Sequence, residues 1–237
     1  MIAALDGFRE RAAAHLQATS RPLVTLSYAQ SLDGCLTIRA GQPSPISGPQ
    51  SRVVTHRLRA AHDAILVGIG TVLADDPNLT VRLVEGDDPQ PVIVDSRLRF
   101  PLEARLLSAG CQPWIATAEP ADPARRAVLE GRGARVLTLP PREGRVSLPA
   151  LLDELGQMGI TSLMVEGGAQ VITSFLRERL ADQLILTVAP VLVGGPHAVG
   201  DLGVRAWKEL PRLCDAGYEQ AGRDLIVWGT LVWEEGA

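Results

Sequence analysis

A strand pattern changes into a helix pattern within Leu163-Met164-Val165-Glu166-Gly167-Gly168-Ala169-Gln170-Val171. The apolar start of this stretch predicts a buried strand, and the apolar spacing that begins at Val171 predicts a helix. Two glycines at the junction would let a phosphate reach bare backbone N–H groups at the positive end of the helix. Glu166 would repel a phosphate, so we expect it to face a second, polar ligand. The alternative interpretation is a tight turn whose glycines serve packing alone.

Length and composition predict a folded protein and exclude several classes of function. The 237 residues are 46% hydrophobic and 21% charged, as is usual for a globular chain. Acidic residues outnumber basic ones by 27 to 23 and no lysine-arginine block occurs, which argues against nucleic-acid binding. The cysteines and histidines lack metal-ligand spacing, so we expect no metal and free thiols in a reducing cytoplasm. No apolar run is long enough for a signal or a membrane span, so a soluble cytoplasmic protein is expected.

Strand and helix patterns alternate along most of the chain. Residues 1–20 are predicted to form a helical extension, with an amphipathic helix over 2–18, and residues 21–237 a single domain. The other predicted helices cover 49–61, 69–74, 123–132 and 148–158, with one more from Val171. The predicted strands cover 23–29, 64–68, 91–95, 114–117, 135–138, 163–166 and 183–189, and a hairpin joins 218–221 to 225–232. This order predicts an α/β fold: a mixed, mostly parallel sheet with helices on both faces and a C-terminal antiparallel hairpin.

Glycines also follow the predicted strand that ends at Gly68, in the stretch from residue 67 to residue 82. Gly68 and Gly70 would let a ligand approach the backbone. Thr71 and Asp75 would lie on the same side of the short helix, four residues apart. The stretch lacks the GxGxxG fingerprint of dinucleotide-binding folds. Asp75 could also simply end the helix, and this interpretation stays open.

Two further pairs of residues are candidates for phosphate binding. Ser96 follows a buried strand at the edge where α/β sheets bind ligands, and with Arg97 it suits the 2′-phosphate of NADP. The same residues could form only a turn at the end of the strand. Arg59 and Arg82 are candidates for a substrate phosphate, although either could be a solvated surface residue.

Six ordered motifs carry a resemblance to one known family. They are Ser31-Leu32-Asp33-Gly34, residues 67–77, Leu79-Thr80-Val81-Arg82, Val94-Asp95-Ser96, Val165-Glu166-Gly167-Gly168-Ala169, and Ala189-Pro190 followed by Gly194-Gly195. Through them the chain resembles the reductase of riboflavin biosynthesis. That family comprises the C-terminal domain of the bacterial bifunctional deaminase-reductase and the stand-alone archaeal and fungal enzymes. The resemblance covers roughly residues 21–233.

The resemblance implies a fold like that of dihydrofolate reductase, a homodimer, and NADPH as cofactor. It implies reduction of the ribosylamino side chain of a pyrimidine 5′-phosphate to a ribitylamino chain. Carried over by position, it implies NADPH contacts at Ala29, Thr71, Asp75, Ser96, Gly167, Gly168, Ala169, Gln170, Val171, Ile172, Thr173 and Ser174. It implies substrate contacts at Arg59, Leu79, Arg82 and Glu166.

The sequence departs from the family pattern in two places. Part of the family has lysine in the first strand, where Ser27 stands in this chain, and Pro43-Ser44-Pro45 replaces a more polar stretch near the substrate. Dihydrofolate reductases have a cis bond between two glycines at the corresponding turn. The resemblance therefore also predicts a cis bond between Gly167 and Gly168, although a cis bond outside proline is costly.

The implied chemistry is transfer of a hydride from NADPH to C1 of the open-chain imine form of the sugar. Glu166 is the candidate for orienting the substrate or stabilising its charge, and water could supply the proton. Two alternatives stay open. One is a reductase of the same fold that acts on a pterin or another heterocycle and would tolerate loss of Arg59 and Arg82. The other is a non-catalytic module that binds NADPH. The sequence leaves open whether the pyrimidine ring is deaminated.

Overall fold

The computed structural model describes residues 3–42, 44–108, 110 and 112–233. Its helices are α1 (Phe8–Thr19), α2 (Pro49–Ala61), α3 (Ile69–Asp75), α4 (Pro123–Gly131), α5 (Leu148–Gln157) and α6 (Ala169–Arg177). Its strands are β1 (Leu23–Ser31), β2 (Ala64–Gly68), β3 (Gln90–Val94), β4 (Trp114–Ala118), β5 (Arg135–Leu139), β6 (Pro141–Arg142), β7 (Arg145–Val146), β8 (Ser162–Val165), β9 (Gln183–Ala189), β10 (Arg212–Ala221) and β11 (Asp224–Val232). Short 3-10 helices cover Ala3–Leu5, Arg105–Leu107 and Trp207–Glu209.

One nine-stranded sheet forms the centre of the molecule, in the order β10-β11-β9-β1-β8-β2-β3-β4-β5. The strands from β9 to β5 run parallel, whereas β11 runs antiparallel to β9 and pairs with β10 as a hairpin. The predicted mixed, mostly parallel sheet with a C-terminal hairpin is therefore confirmed. No helix among the described residues is long and apolar enough to cross a bilayer.

Apolar side chains cover both faces of the parallel strands, because alternate residues point to opposite sides. Leu66 of β2 belongs to the core that contains Leu151 of α5 and Phe175 of α6. The preceding residue, Ile65, belongs to a second core that contains Leu129 of α4. Helices therefore pack on both faces of the sheet, and the carboxyl ends of the strands stay free to form a cleft.

The prediction of one helix over 2–18 is wrong. Gly7 separates the 3-10 turn at Ala3–Leu5 from α1, and its φ of 59° is a left-handed conformation that interrupts a right-handed helix. Residues 1 and 2 lie outside the described residues. Phe8 of α1 packs against Leu23 of β1. That residues 1–20 form an extension separate from the domain stays a prediction.

His62 joins the end of α2 to β1. Its side chain is fully buried, with Nδ1 2.7 Å from the Leu58 carbonyl and Nε2 2.9 Å from Thr25 Oγ1. Nδ1 must donate its proton to that carbonyl, so Nε2 of the neutral ring accepts the threonine O–H. Burial lowers the pKa of His62 to about 4, from an ordinary value of 6.5.

We expect protonation of His62 to destabilise the fold below pH 6.5. Between pH 6.5 and about pH 4 the unfolded chain binds the proton and the folded chain does not, so stability falls as pH falls through this window. His62 alone should lower the free energy of unfolding by about 2 kcal/mol between pH 7 and pH 5. Urea unfolding at both pH values measures this. The variant His62→Gln should show a smaller loss over the same interval, and an identical loss would contradict the assignment.

Candidate active site

A cleft of about 1520 Å³ opens at the carboxyl ends of the central parallel strands. Its walls include Ala29 of β1, Gly68 at the end of β2, Ser96 after β3 and Glu166 after β8. These strands are neighbours in the order β1-β8-β2-β3. Parallel α/β sheets bind ligands at this edge, so the cleft is the candidate active site.

The turn between β8 and α6 consists of Glu166, Gly167 and Gly168. Gly167 has a φ of 98° and Gly168 a φ of 87°, both in a region that favours glycine. The predicted cis bond between them is wrong: within the described part of the chain the cis peptide bond is Glu119–Pro120, so this one is trans. Two successive glycines with positive φ turn the backbone from strand to helix without a cis bond.

The first turn of α6 is open to an anion. Gly168 provides no side-chain cap, and no acidic residue lies in the first turn, so backbone N–H groups there lack a side-chain acceptor. A Cβ added at Gly167 would meet nothing within 4 Å, whereas one at Gly168 would lie 3.3 Å from Thr71 Oγ1. Free N–H groups beside free space fit a phosphate of a nucleotide.

Glu166 is held by Arg59 of α2. Arg59 Nε lies 2.8 Å from Glu166 Oε2, and Arg59 Nη2 lies 2.5 Å from Glu166 Oε1, which is a bidentate ion pair. Arg59 Nη1 also donates to the Thr80 carbonyl at 2.9 Å. The guanidinium thus uses three of its five N–H groups within the protein. The sequence predicted Arg59 as a phosphate ligand and did not predict this pairing.

The segment after α3 brings Arg82, the second arginine predicted to bind substrate phosphate, close to Arg59. Leu79 is buried against the cleft with a φ of 55°, a strained conformation for leucine. Arg82 Nη1 donates to Thr80 Oγ1 at 2.6 Å, and its backbone N–H donates to His56 Nδ1 at 3.0 Å. Burial, then the charges of Arg59 and Arg82, lower the pKa of His56, which favours the neutral acceptor ring. Arg59 and Arg82 therefore meet at Thr80, but Arg82 lies beside the cleft and not among its lining residues.

Most of the predicted cofactor residues line the cleft. They are Ala29, Thr71, Asp75, Ser96, Gly167, Gly168, Ala169, Gln170, Val171 and Ser174. Ile172 and Thr173 do not, because the helix turns their side chains away. Ile172 is buried in the core, and the Thr173 hydroxyl donates to the Ala169 carbonyl at 2.6 Å and accepts the Gly200 N–H at 2.9 Å.

The two departures from the family pattern also lie at the cleft. Ser27 is 6% exposed on its wall, so a short hydroxyl stands where part of the family has an ammonium group. Ser44 lines the cleft and its Oγ lies 2.9 Å from Thr37 Oγ1. Pro43 lies outside the described residues.

Several residues of the cleft wall were not predicted from the sequence, among them Tyr28, Arg142 and Arg145. Tyr28 of β1 lines it, and burial raises the pKa of this phenol to about 12, so the hydroxyl keeps its proton at neutral pH. Its place beside Ala29, near the carboxyl end of the predicted first strand, could have suggested it. Arg142 and Arg145 reach the cleft from the β6–β7 hairpin. A strand of two residues shows no alternating hydrophobic pattern, so the sequence could not indicate this hairpin.

By fold, the protein belongs to the class that resembles dihydrofolate reductase. A solved structure described as dihydrofolate reductase from Enterococcus faecalis complexed with NADP(H) superposes with a TM-score of 0.52, at 11% identity over 88% of this chain and 96% of that one. The model of the RibD C-terminal domain family matches residues 22–227. The chain belongs to this family, as the motifs in its sequence predict.

The names of individual relatives are consistent with membership of this family. The 2,5-diamino-6-ribosylamino-4(3H)-pyrimidinone 5′-phosphate reductase of Methanothermobacter thermautotrophicus is 41% identical over 89% of this chain and 99% of its own length. The riboflavin biosynthesis protein RibD of Aquifex aeolicus is 38% identical over 88% of this chain, which spans 57% of that relative. The solved RibD of Acinetobacter baumannii has a TM-score of 0.80 and 28% identity, covering 95% of this chain and 62% of that one.

We expect Arg59→Ala to lower the free energy of unfolding by about 2 kcal/mol, because it leaves the partly buried Glu166 carboxylate without a counter-charge. The double variant Arg59→Ala/Glu166→Gln should recover part of this loss, since the unpaired charge is gone. Urea unfolding at pH 7 measures both. Arg57→Ala, on the exposed side of the same helix, is the matched control. A loss in Arg59→Ala no larger than in the control would contradict this account of the pair.

Proposed function

We propose that this protein is an NADPH-dependent reductase that converts the ribosylamino side chain of a pyrimidine 5′-phosphate into a ribitylamino chain. The observation that carries the proposal is the position of Glu166. Its carboxylate is held by Arg59 on the wall of the cleft, directly before the uncapped start of α6. A site for an amine-bearing ring thus adjoins a site for phosphate, in a chain of the RibD C-terminal domain family.

The residues of the cleft have distinct tasks in this reaction. When bound, NADPH supplies the hydride that reduces C1 of the sugar imine. The backbone N–H groups at Ala169 and Gln170 bind cofactor phosphate, and the Gly167–Gly168 turn leaves room for it. Thr71, Asp75 and Ser96 line the cofactor side of the same cleft.

Glu166 binds the substrate as an acceptor. Two guanidinium N–H groups of Arg59 hold its two oxygens, and the remaining lone pairs of these oxygens can accept hydrogen bonds from amino groups of the substrate. Its negative charge also stabilises the protonated imine of the substrate, whose positive nitrogen becomes a neutral amine when C1 accepts the hydride. Arg59 positions this carboxylate, and Arg82 contributes a cation at the edge for the substrate phosphate.

The proposal is tested by following NADPH oxidation with the two pyrimidine phosphates, before and after ring deamination. We expect one of them to be reduced, and Glu166→Gln to lower kcat/KM about 10- to 100-fold, the cost of one lost charged hydrogen bond. Arg82→Ala should raise KM for the pyrimidine about ten-fold and leave NADPH affinity unchanged. Arg57→Ala serves as the control for surface charge.

Two other outcomes would contradict the proposal. If the protein reduces a pterin, and Arg82→Ala does not change the rate of that reaction, a reductase of an unphosphorylated heterocycle would be favoured. Binding of NADPH without oxidation by either pyrimidine phosphate would favour a non-catalytic module.

We also propose a cytoplasmic homodimer. The described cysteines, Cys35 and Cys214, are free thiols, as in a reducing compartment. Ile226 of the C-terminal hairpin is buried, whereas Leu225 is 42% and Tyr218 67% exposed, so the other side of the hairpin offers apolar surface to a partner. Light scattering at micromolar concentration should give about twice the chain mass, and Tyr218→Glu should lower it. A wild-type mass near 25.3 kDa would contradict the dimer.

A further inference from the structure

The carboxylate of Asp33 collects hydrogen bonds from two separate parts of the chain. Its Oδ1 accepts the Ser31 hydroxyl and, at 3.0 Å, the Val193 N–H, and its Oδ2 accepts the Gly194 N–H at 2.7 Å. The hydrogen bond from Ser31, followed by those from Gly194 and Val193, holds the pKa of Asp33 well below its ordinary value. Asp33 is therefore ionised at neutral pH, and each of these hydrogen bonds is charge-assisted.

Backbone contacts join the same two parts of the chain. The first, residues 32–38, follows β1, and the second, residues 190–198, follows β9; we call them the paired segments. Three backbone N–H groups donate across them: Leu32 to the Val191 carbonyl at 2.9 Å, Leu36 to the Pro196 carbonyl at 2.9 Å and Ala198 to the Gly34 carbonyl at 2.8 Å. A Cβ added at Gly195 would overlap the Thr37 carbonyl oxygen, so the close approach requires glycine. The paired segments therefore form one unit, with Asp33 at its centre.

The paired segments form part of the cleft wall. Leu36, Thr37 and Pro196 line the cleft, as does Ala29 near the end of β1. Asp33 itself is not among the lining residues. Its hydrogen bonds to Val193 and Gly194 hold the second segment against the first, a few residues before Pro196 reaches the cleft. A carboxylate outside the cleft thus determines where three residues of its wall lie.

Loss of the Asp33 carboxylate would shift this wall without unfolding the chain. The backbone hydrogen bonds between the paired segments remain, and water can reach the exposed Gly194 N–H. A small shift matters for hydride transfer, because the reacting atoms must lie about 3–3.5 Å apart and a misplacement of about 1 Å can lower the rate about 100-fold. It matters less for cofactor affinity, because the proposed phosphate contacts of NADPH lie elsewhere, at the first turn of α6.

We propose that Asp33 is a positioning residue of the reductase: it holds the paired segments, and these keep the bound cofactor and substrate in the geometry that hydride transfer needs. The inference rests on the proposed reductase function and deepens its site. Asp33 acts through the wall residues and touches neither ligand. Its contribution is therefore to kcat more than to the binding of NADPH.

The experiment measures kcat and KM for NADPH oxidation with the pyrimidine phosphate that wild type reduces, and the dissociation constant of NADPH by fluorescence titration. We expect Asp33→Ala to lower kcat about 10- to 100-fold and to leave the dissociation constant within about three-fold of wild type. Asp33→Asn should recover part of the loss, because the amide oxygen can still accept backbone N–H groups. Gly195→Ala separates the paired segments by a different route and should lower kcat in the same way.

Asp122→Ala is the matched control. Asp122 Oδ1 also accepts a backbone N–H, that of Ala124 at 2.9 Å, but at the start of α4 and outside the cleft. Its loss removes the same kind of hydrogen bond from the fold, so we expect kcat to stay within about two-fold of wild type.

Each other outcome overturns the inference in a recognisable way. If wild type turns over and Asp33→Ala keeps its kcat, the inference fails while the reductase function stands. If Asp33→Ala weakens NADPH binding as much as it lowers kcat, or if Asp122→Ala lowers kcat equally, a general loosening of the fold is the cause and positioning is not. If wild type oxidises NADPH with neither pyrimidine phosphate, the proposed function fails and the inference with it.

Discussion

Glu166 follows a fully buried strand, and moving a carboxylate out of water at such a position costs free energy unless a group of opposite charge holds it. Arg59 provides this group from α2, and two neighbours in the chain fix where the guanidinium lies. Leu58 is packed into the core, and His62 is tied to β1 through Thr25. Arg59 also donates to the Thr80 carbonyl, and this hydrogen bond attaches the segment after α3 to the same guanidinium. One guanidinium thus holds together the helix, the strand end and the loop that form one side of the cleft.

Two groups with opposite effects on an anion lie very close together at the end of β8. The Glu166 carboxylate repels anions, whereas the first turn of α6, only three residues further on, attracts them. Gly167 and Gly168 separate the two without adding side chains to either side. A ligand with phosphates and a ligand with amino groups can therefore bind side by side, each excluded from the other's place by charge. This arrangement suits a reaction between a nucleotide and an aminated ring better than binding of one ligand alone.

Local patterns predicted the parallel sheet because its strands are buried on both faces and appear in the sequence as short apolar runs, such as Ala64–Gly68. They did not predict contacts between distant residues. Arg59 and Glu166 are 107 positions apart, and nothing in either neighbourhood indicates the other. The helix from residue 2 was extended too far because a single glycine, Gly7, decides where it stops. The prediction of a cis Gly167–Gly168 bond is wrong because it was carried over from dihydrofolate reductases, and nothing in the two glycines themselves favours a cis bond over the trans bond that is observed.

The arginines of the cleft wall show why overall charge says little about ligands. The chain carries a formal charge of −4, which by itself argues against anionic partners. Binding responds to the local potential, however, and a cleft of low dielectric constant strengthens the field of the few cations on its wall. Arg145 stands on a hairpin too short to leave a sequence pattern, attached to Ser96 by one hydrogen bond. The hairpin contributes Val146 to the core, whereas the neighbouring Arg145 is exposed and can change at little cost to the fold, so this position is well placed to tune which ligand the cleft accepts.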